Sequence, residues 1–236
     1  MVKIEVWSDY VCPFCYIGKR QLEKAIKDSG YEGQIDVTYK SFLLDPNTPV
    51  DISESVYESL SKKYNAPIEN IKTMTANVVE RAKEVGLAYN FDEMKAANTV
   101  KAHRLTKWVE SKSKELAAKF TEQVLQAYFI YGKAIGRDEE LLAIIDSIGL
   151  NREDAEEVLK NNTYMQDVEK DIYEASQIGV RGVPFFVFEN KWGISGAQPQ
   201  DVFEKTIEQA AQHAGLKKSI QIVAEGATCT DDSCDI

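Results

Sequence analysis

Ser8-Asp9-Tyr10-Val11-Cys12-Pro13-Phe14-Cys15-Tyr16-Ile17-Gly18 is the stretch on which the reading of this 236-residue chain turns. Before it, Val2–Trp7 sets apolar residues against Lys3 and Glu5 with the period of a buried strand. After it, Ile17, Leu22, Ala25 and Ile26 recur near helical spacing from Pro13 until Gly30 stops the run. The two cysteines therefore stand where a strand hands over to a helix. A second strand over Ile35–Phe42, rich in Val, Thr, Tyr and Phe, completes a β-α-β unit.

A cysteine at such a junction meets free backbone N–H groups and the positive end of the helix dipole, surroundings that favour a thiolate. This places Cys12 as the attacking nucleophile. Cys15, about one turn further on the same face, is placed to resolve a mixed disulfide formed at Cys12. Pro13 suits a first helical turn because its missing N–H would have had no partner there, and Phe14 brings neither charge nor donor. The same spacing also serves zinc. Zinc would need two more ligands, for which Cys229 and Cys234 are the candidates, since His103 and His213 lack ligand spacing.

Asp45-Pro46-Asn47-Thr48-Pro49 interrupts the pattern. Helical spacing then covers Glu54–Tyr64, Ile68–Val85, Met94–Lys112, Lys114–Gly132 and Asp138–Ile148. Asn151 with Asp154 starts another helix, ending near Lys160, and Tyr164–Ile178 ends at Gly179. Val183–Phe188 and Trp192–Ser195 flank Glu189-Asn190-Lys191 as a hairpin, and a last helix runs from Pro199 to Ala214. The class is α/β. Residues 1–48 and 162–214 form one discontinuous domain, 49–161 an all-helical insertion and 215–236 a C-terminal tail with a second cysteine pair.

Gly182-Val183-Pro184 opens an apolar strand, where a proline belongs at a beginning or an edge. A cis bond before Pro184 would turn the Val183 backbone outward beside Cys12, ready to pair with an extended substrate chain. Pro13, Phe14 and Val183 are thus the candidate substrate contacts. His103, among Ala102, Leu105 and Trp108, reads first as a buried, satisfied histidine and second as a catalytic one. Trp7, Phe42 and Phe185 read as core.

Charge narrows the partners. Asp and Glu (38) outnumber Lys and Arg (28), giving a net charge of −10 without a basic run, which argues against nucleic acid. No apolar stretch approaches the roughly 18 residues of a membrane span, and because Met1 runs almost directly into a strand we expect no leader. The expectation is a cytoplasmic protein in a reducing compartment, where a short cysteine spacing is catalytic or metal-binding more often than structural. Thiol–disulfide exchange calls for no metal and no other cofactor.

At these residues the sequence resembles the DsbA family of thioredoxin-fold proteins, especially its cytoplasmic FrnE-like branch. The resemblance runs through Ser8–Gly18, Asn98 with Ala102-His103-Arg104-Leu105, Gly179–Val187, and Ser195-Gly196-Ala197-Gln198-Pro199. It implies a thioredoxin-like fold with a large all-helical insertion, Cys12 as attacking thiol, Cys15 as resolving thiol and Pro184 as a cis-proline facing them. Two departures matter. The related kappa-class glutathione transferases and 2-hydroxychromene-2-carboxylate isomerases carry serine where Cys12 stands, whereas this dithiol is intact. DsbA itself has histidine where Phe14 sits, which argues against strong oxidising power.

Cys229 and Cys234 form a C-x4-C in the polar tail. Asp231, Asp232 and Asp235 disfavour thiolates there by like-charge repulsion. FrnE-like proteins resemble this arrangement, which implies exchange with the active-site pair; two inert thiols or a small clip are the alternatives. The reading as a whole is an enzyme acting on protein thiols and disulfides, with glutathione or a thioredoxin-type protein as reductant. A glutathione-dependent transferase or isomerase and a zinc-holding interaction module are the competing readings.

Overall fold

The expected elements appear, with shifted ends, in a computed structural model that describes residues 1–50 and 53–218. In chain order they are β1 (Val2–Ser8), α1 (Pro13–Ser29), β2 (Ile35–Ser41), α2 (Val56–Tyr64), α3 (Ile68–Glu84), α4 (Val100–Lys112) and α5 (Lys114–Phe129). Then follow α6 (Asp138–Ser147), α7 (Arg152–Lys160), α8 (Met165–Gln177), β3 (Phe185–Phe188), β4 (Trp192–Ser195) and α9 (Gln200–His213). The sheet order is β2-β1-β3-β4, with β1 parallel to β2 and antiparallel to β3. Glu189 and Asn190, each at φ 52°, make the tight turn of the β3–β4 hairpin. This is a thioredoxin-like α/β fold carrying a large helical insertion.

Alternation in β1 sorts the layers. Val2, Ile4 and Val6 meet Leu22 and Ala25 of α1 and Phe203 and Ile207 of α9, while Trp7 faces the other way toward Ala175 of α8. The Trp7 indole N–H finds the Asp171 carbonyl at 2.8 Å, so this buried polar group is satisfied.

The region expected as a helix over Met94–Lys112 starts instead at Val100. Residues 94–96 run beside 54–56: the Val56 N–H bonds Met94 O at 3.0 Å and the Ala96 N–H bonds Glu54 O at 2.9 Å. Asn98 then donates to Thr48 O and accepts from the Val100 N–H, a local alternative to helical bonding. Pro199 likewise caps the last helix from outside rather than opening it. Helix α5 stops at Phe129, and Gly132 takes φ 62° where a Cβ would collide with Glu93.

The insertion has its own apolar core, including Leu105, Phe120, Val124, Phe129 and Leu141, and this core continues onto Tyr16 and Ile17 of α1. Arg104, only 3% exposed, spends its guanidinium on the carbonyls of Val158, Leu159 and Thr163, supplying donors to the end of α7.

Where the insertion meets α1, Glu122 of α5 is held by Lys19 at 2.6 Å, by the Tyr16 hydroxyl at 2.5 Å and by Arg20. Burial alone would raise the Glu122 carboxyl, but Lys19, Tyr16 and Arg20 outweigh it and hold it below the usual carboxylate range. A lowered carboxyl stabilises the folded chain above its unfolded value of about 4.3, and that share is lost as pH falls through the folded value. Glu122→Gln is expected to cost about 1–2 kcal/mol at neutral pH, allowing for solvent screening. Urea unfolding followed into the acid range should also lose part of its pH slope; an unchanged slope would count against this account.

Candidate active site

Strand β1 delivers the chain to a tight loop in which the Cys12 N–H bonds Asp9 O at 3.1 Å and the Cys15 N–H bonds Cys12 O at 3.0 Å. Cys12 is the N-cap of α1, in extended conformation, and Pro13 occupies the first helical position. The Tyr89 hydroxyl steadies that turn from the insertion by donating to Pro13 O at 2.7 Å. Gly18, one turn beyond Cys15, lets α1 approach the late strand: a Cβ there would lie 2.9 Å from the Phe186 ring and 3.2 Å from Pro184.

The two thiols, both unbridged, sit in different surroundings. Cys12 Sγ lies 3.4 Å from Val183 O, and the Val183–Pro184 bond is cis. Its side chain also lines a cavity of about 520 Å³ between α1 and the insertion. Cys15 is sealed behind it. Burial pushes the Cys15 thiol well above its ordinary range, and its hydrogen bond to Cys12 and the Cys12 charge push it further; the Ser8 hydroxyl and the Asp9 N–H, 3.5 Å from the sulfur, pull the other way. Cys15 therefore keeps its proton and directs it at the Cys12 sulfur.

The cavity wall is mostly apolar, with Val11, Phe14, Val78, Met94 and Phe129 among its residues, while Lys63, Arg81 and Asp45 supply charge. Leu44, Tyr64 and Met74 line it as well and remain substantially exposed. Arg81 stands 4.9 Å over the Phe14 ring and donates to Ala197 O, so it links α3, the residue between the cysteines and the loop after β4.

Cys12, Cys15, Pro13, Phe14, Val183 and Pro184 thus come together at one place. His103 sits behind them, buried in α4, with Nε2 3.3 Å from Asp9 Oδ1 and its ring 4.8 Å from that of Tyr10. Cys229 and Cys234 lie outside the described residues. Among the described residues no group of three or more His, Cys, Asp or Glu is arranged to hold a metal, and the zinc arrangement considered above depends on those two tail cysteines. Among the same residues no helix is long and apolar enough to cross a membrane.

Asp9 is the residue that sequence reasoning missed. Only 1% exposed, its carboxylate accepts from Leu44 N at 2.8 Å, Thr99 Oγ1 at 2.7 Å and His103 Nε2, while its backbone holds both cysteines. A signal was present: between Glu5 and Lys19 it is the sole charged residue, and a lone charge in a buried run requires partners.

Residues 3–208 match the DSBA-like thioredoxin domain family. A probable DsbA oxidoreductase from Streptomyces coelicolor superposes with a TM-score of 0.85 at 30% identity, covering 100% of this chain and 99% of that one. A 2-hydroxychromene-2-carboxylate isomerase shares the fold at a TM-score of 0.67 and 19% identity, with 91% and 99% covered. The uncharacterized protein YwbO of Bacillus subtilis (strain 168) is 29% identical over 215 residues, 87% of this chain and 96% of its own length.

Proposed function

Because the chain belongs to the DsbA-like thioredoxin domain family, we propose that its thiol–disulfide oxidoreductase chemistry acts on polypeptide disulfides through Cys12. The Cys12 thiolate attacks one substrate sulfur, the substrate S–S bond breaks, and the departing thiolate takes a proton from solvent. Cys15 then attacks Cys12 Sγ, closing the Cys12–Cys15 disulfide and freeing the second substrate thiol. Glutathione or a thioredoxin-type protein returns the pair to the dithiol.

One observation carries the choice of substrate: the nucleophilic sulfur opens into a mostly apolar cavity of about 520 Å³ with Leu44, Tyr64 and Met74 exposed along it. That lining suits a large apolar side chain beside the substrate cysteine, with the substrate backbone against Val183. A second reading, glutathione-dependent transfer to a small molecule, draws support from Lys63 and Arg81, which could meet carboxylates.

The two readings separate on kcat/KM. Model peptide disulfides with Leu or Phe next to the cysteine should react about 10-fold faster than those with Gly, the worth of burying roughly one side chain. Glutathione disulfide should be the poorer substrate. Equal rates for Leu and Gly peptides, together with faster reaction of glutathione disulfide, would shift the assignment to the glutathione-linked reading.

A further inference from the structure

The proton that Cys15 must lose before it can attack has no carboxylate in direct contact to receive it. Its sulfur is met by the Ser8 hydroxyl and the Asp9 N–H, both donors to a thiolate. Ser8 also lines a small cleft, about 10 Å³, whose wall includes His103, Ser41, Tyr10 and Thr106. Such a volume suits about one water with several polar partners. Asp9 Oδ1 engages His103 Nε2 at 3.3 Å, which orients the ring and leaves Nδ1 as its other proton site.

We propose that Ser8 and His103 form the proton exit for Cys15, with the imidazole as acceptor and Asp9 as the group that positions it. The proposal rests on Cys15 being the resolving thiol. For the transfer the Cys15 S–H turns from Cys12 to Ser8 Oγ while the serine O–H turns from the sulfur into the cleft; as Cys15 passes its proton to Ser8 Oγ, the serine's own proton moves through one water to the imidazole. The Cys15 sulfur then bonds to Cys12 Sγ, the bond from Cys12 to the substrate sulfur breaks, and the released thiolate is protonated from solvent. His103 returns its proton to solvent. Over the cycle the dithiol loses two electrons and the substrate disulfide gains them. The titratable groups around this space are Asp9 and Tyr10 from the loop before α1 and Tyr39 from β2; the Lys40 ammonium is drawn away to Glu5 and Glu174, and on the α8 side Lys107 of α4 is paired with Asp171.

The test is stopped-flow reaction with 5,5′-dithiobis(2-nitrobenzoate) of the reduced full chain carrying Cys229→Ser and Cys234→Ser throughout, so that one coloured thiolate is released when Cys12 attacks and a second when Cys15 resolves. His103→Gln keeps a donor toward Asp9 but cannot take the proton; it should slow the second phase about 10- to 100-fold at neutral pH and leave the first within about twofold. Ser8→Ala should slow the second phase by roughly tenfold. The deficit should close as pH is raised, because hydroxide then removes the proton, whereas a merely misplaced Cys15 would stay slow at every pH. A second phase of wild-type rate in both variants, or a deficit unchanged by pH, would overturn the relay. Release of only one thiolate per protein when His103 and Ser8 are both intact would overturn the Cys12–Cys15 reading itself, and the relay with it.

Discussion

Replacing Cys12 by serine is expected to abolish disulfide exchange, by on the order of a thousandfold or more in an insulin-reduction assay. A hydroxyl at the N-cap of α1 can neither ionise at neutral pH nor form the mixed disulfide. Cys15→Ser should behave differently. Cys12 still faces Val183 and the cavity, so the first attack proceeds, but nothing resolves the product. A covalent enzyme–substrate adduct should therefore accumulate, visible as a mass increase reversed by dithiothreitol. Cys229→Ser combined with Cys234→Ser should leave this single-turnover chemistry intact. Loss of activity confined to that double variant would invert the ranking of the two cysteine pairs.

Asp9→Ala should produce the largest loss of stability among single changes near the site, about 3–5 kcal/mol by urea denaturation. The substitution strands the Thr99 hydroxyl and the His103 ring in a region from which water is excluded, and takes the acceptor from the part-buried Leu44 N–H. Asp9→Asn keeps the shape and one acceptor oxygen, and should lose about half as much. If Asp9→Ala unfolds at the wild-type midpoint, the carboxylate is not what joins the cysteine loop to α4.

The strand-to-helix junction was legible because three local rules agree there: alternation in β1, proline at the first helical position and apolar spacing through Leu22. The hairpin Phe185–Ser195 was legible for the same reason. The stretch at 94–99 was not. Met94, Ala96 and Ala97 mimic helical spacing, yet they are buried because the strand-like pairing with residues 54–56 turns them inward. Asp9 was hidden by distance along the chain, since its partners lie 35, 90 and 94 residues away. The cavity was hidden likewise, because its walls combine the cysteine loop with α2, α3 and the segment before α4.

Helix α2 contributes Val56, Leu60 and Tyr64 to that wall, yet none of its residues is fully buried, and a capping box from Ser55 to Glu58 secures its start. Side chains there can change with little cost to folding, while the sulfur chemistry is anchored on a different part of the molecule. On the substrate assignment proposed above, selectivity and reactivity stand on separate evolutionary footings: drift along one short surface helix would alter which peptides are preferred and leave the cysteine loop as it is.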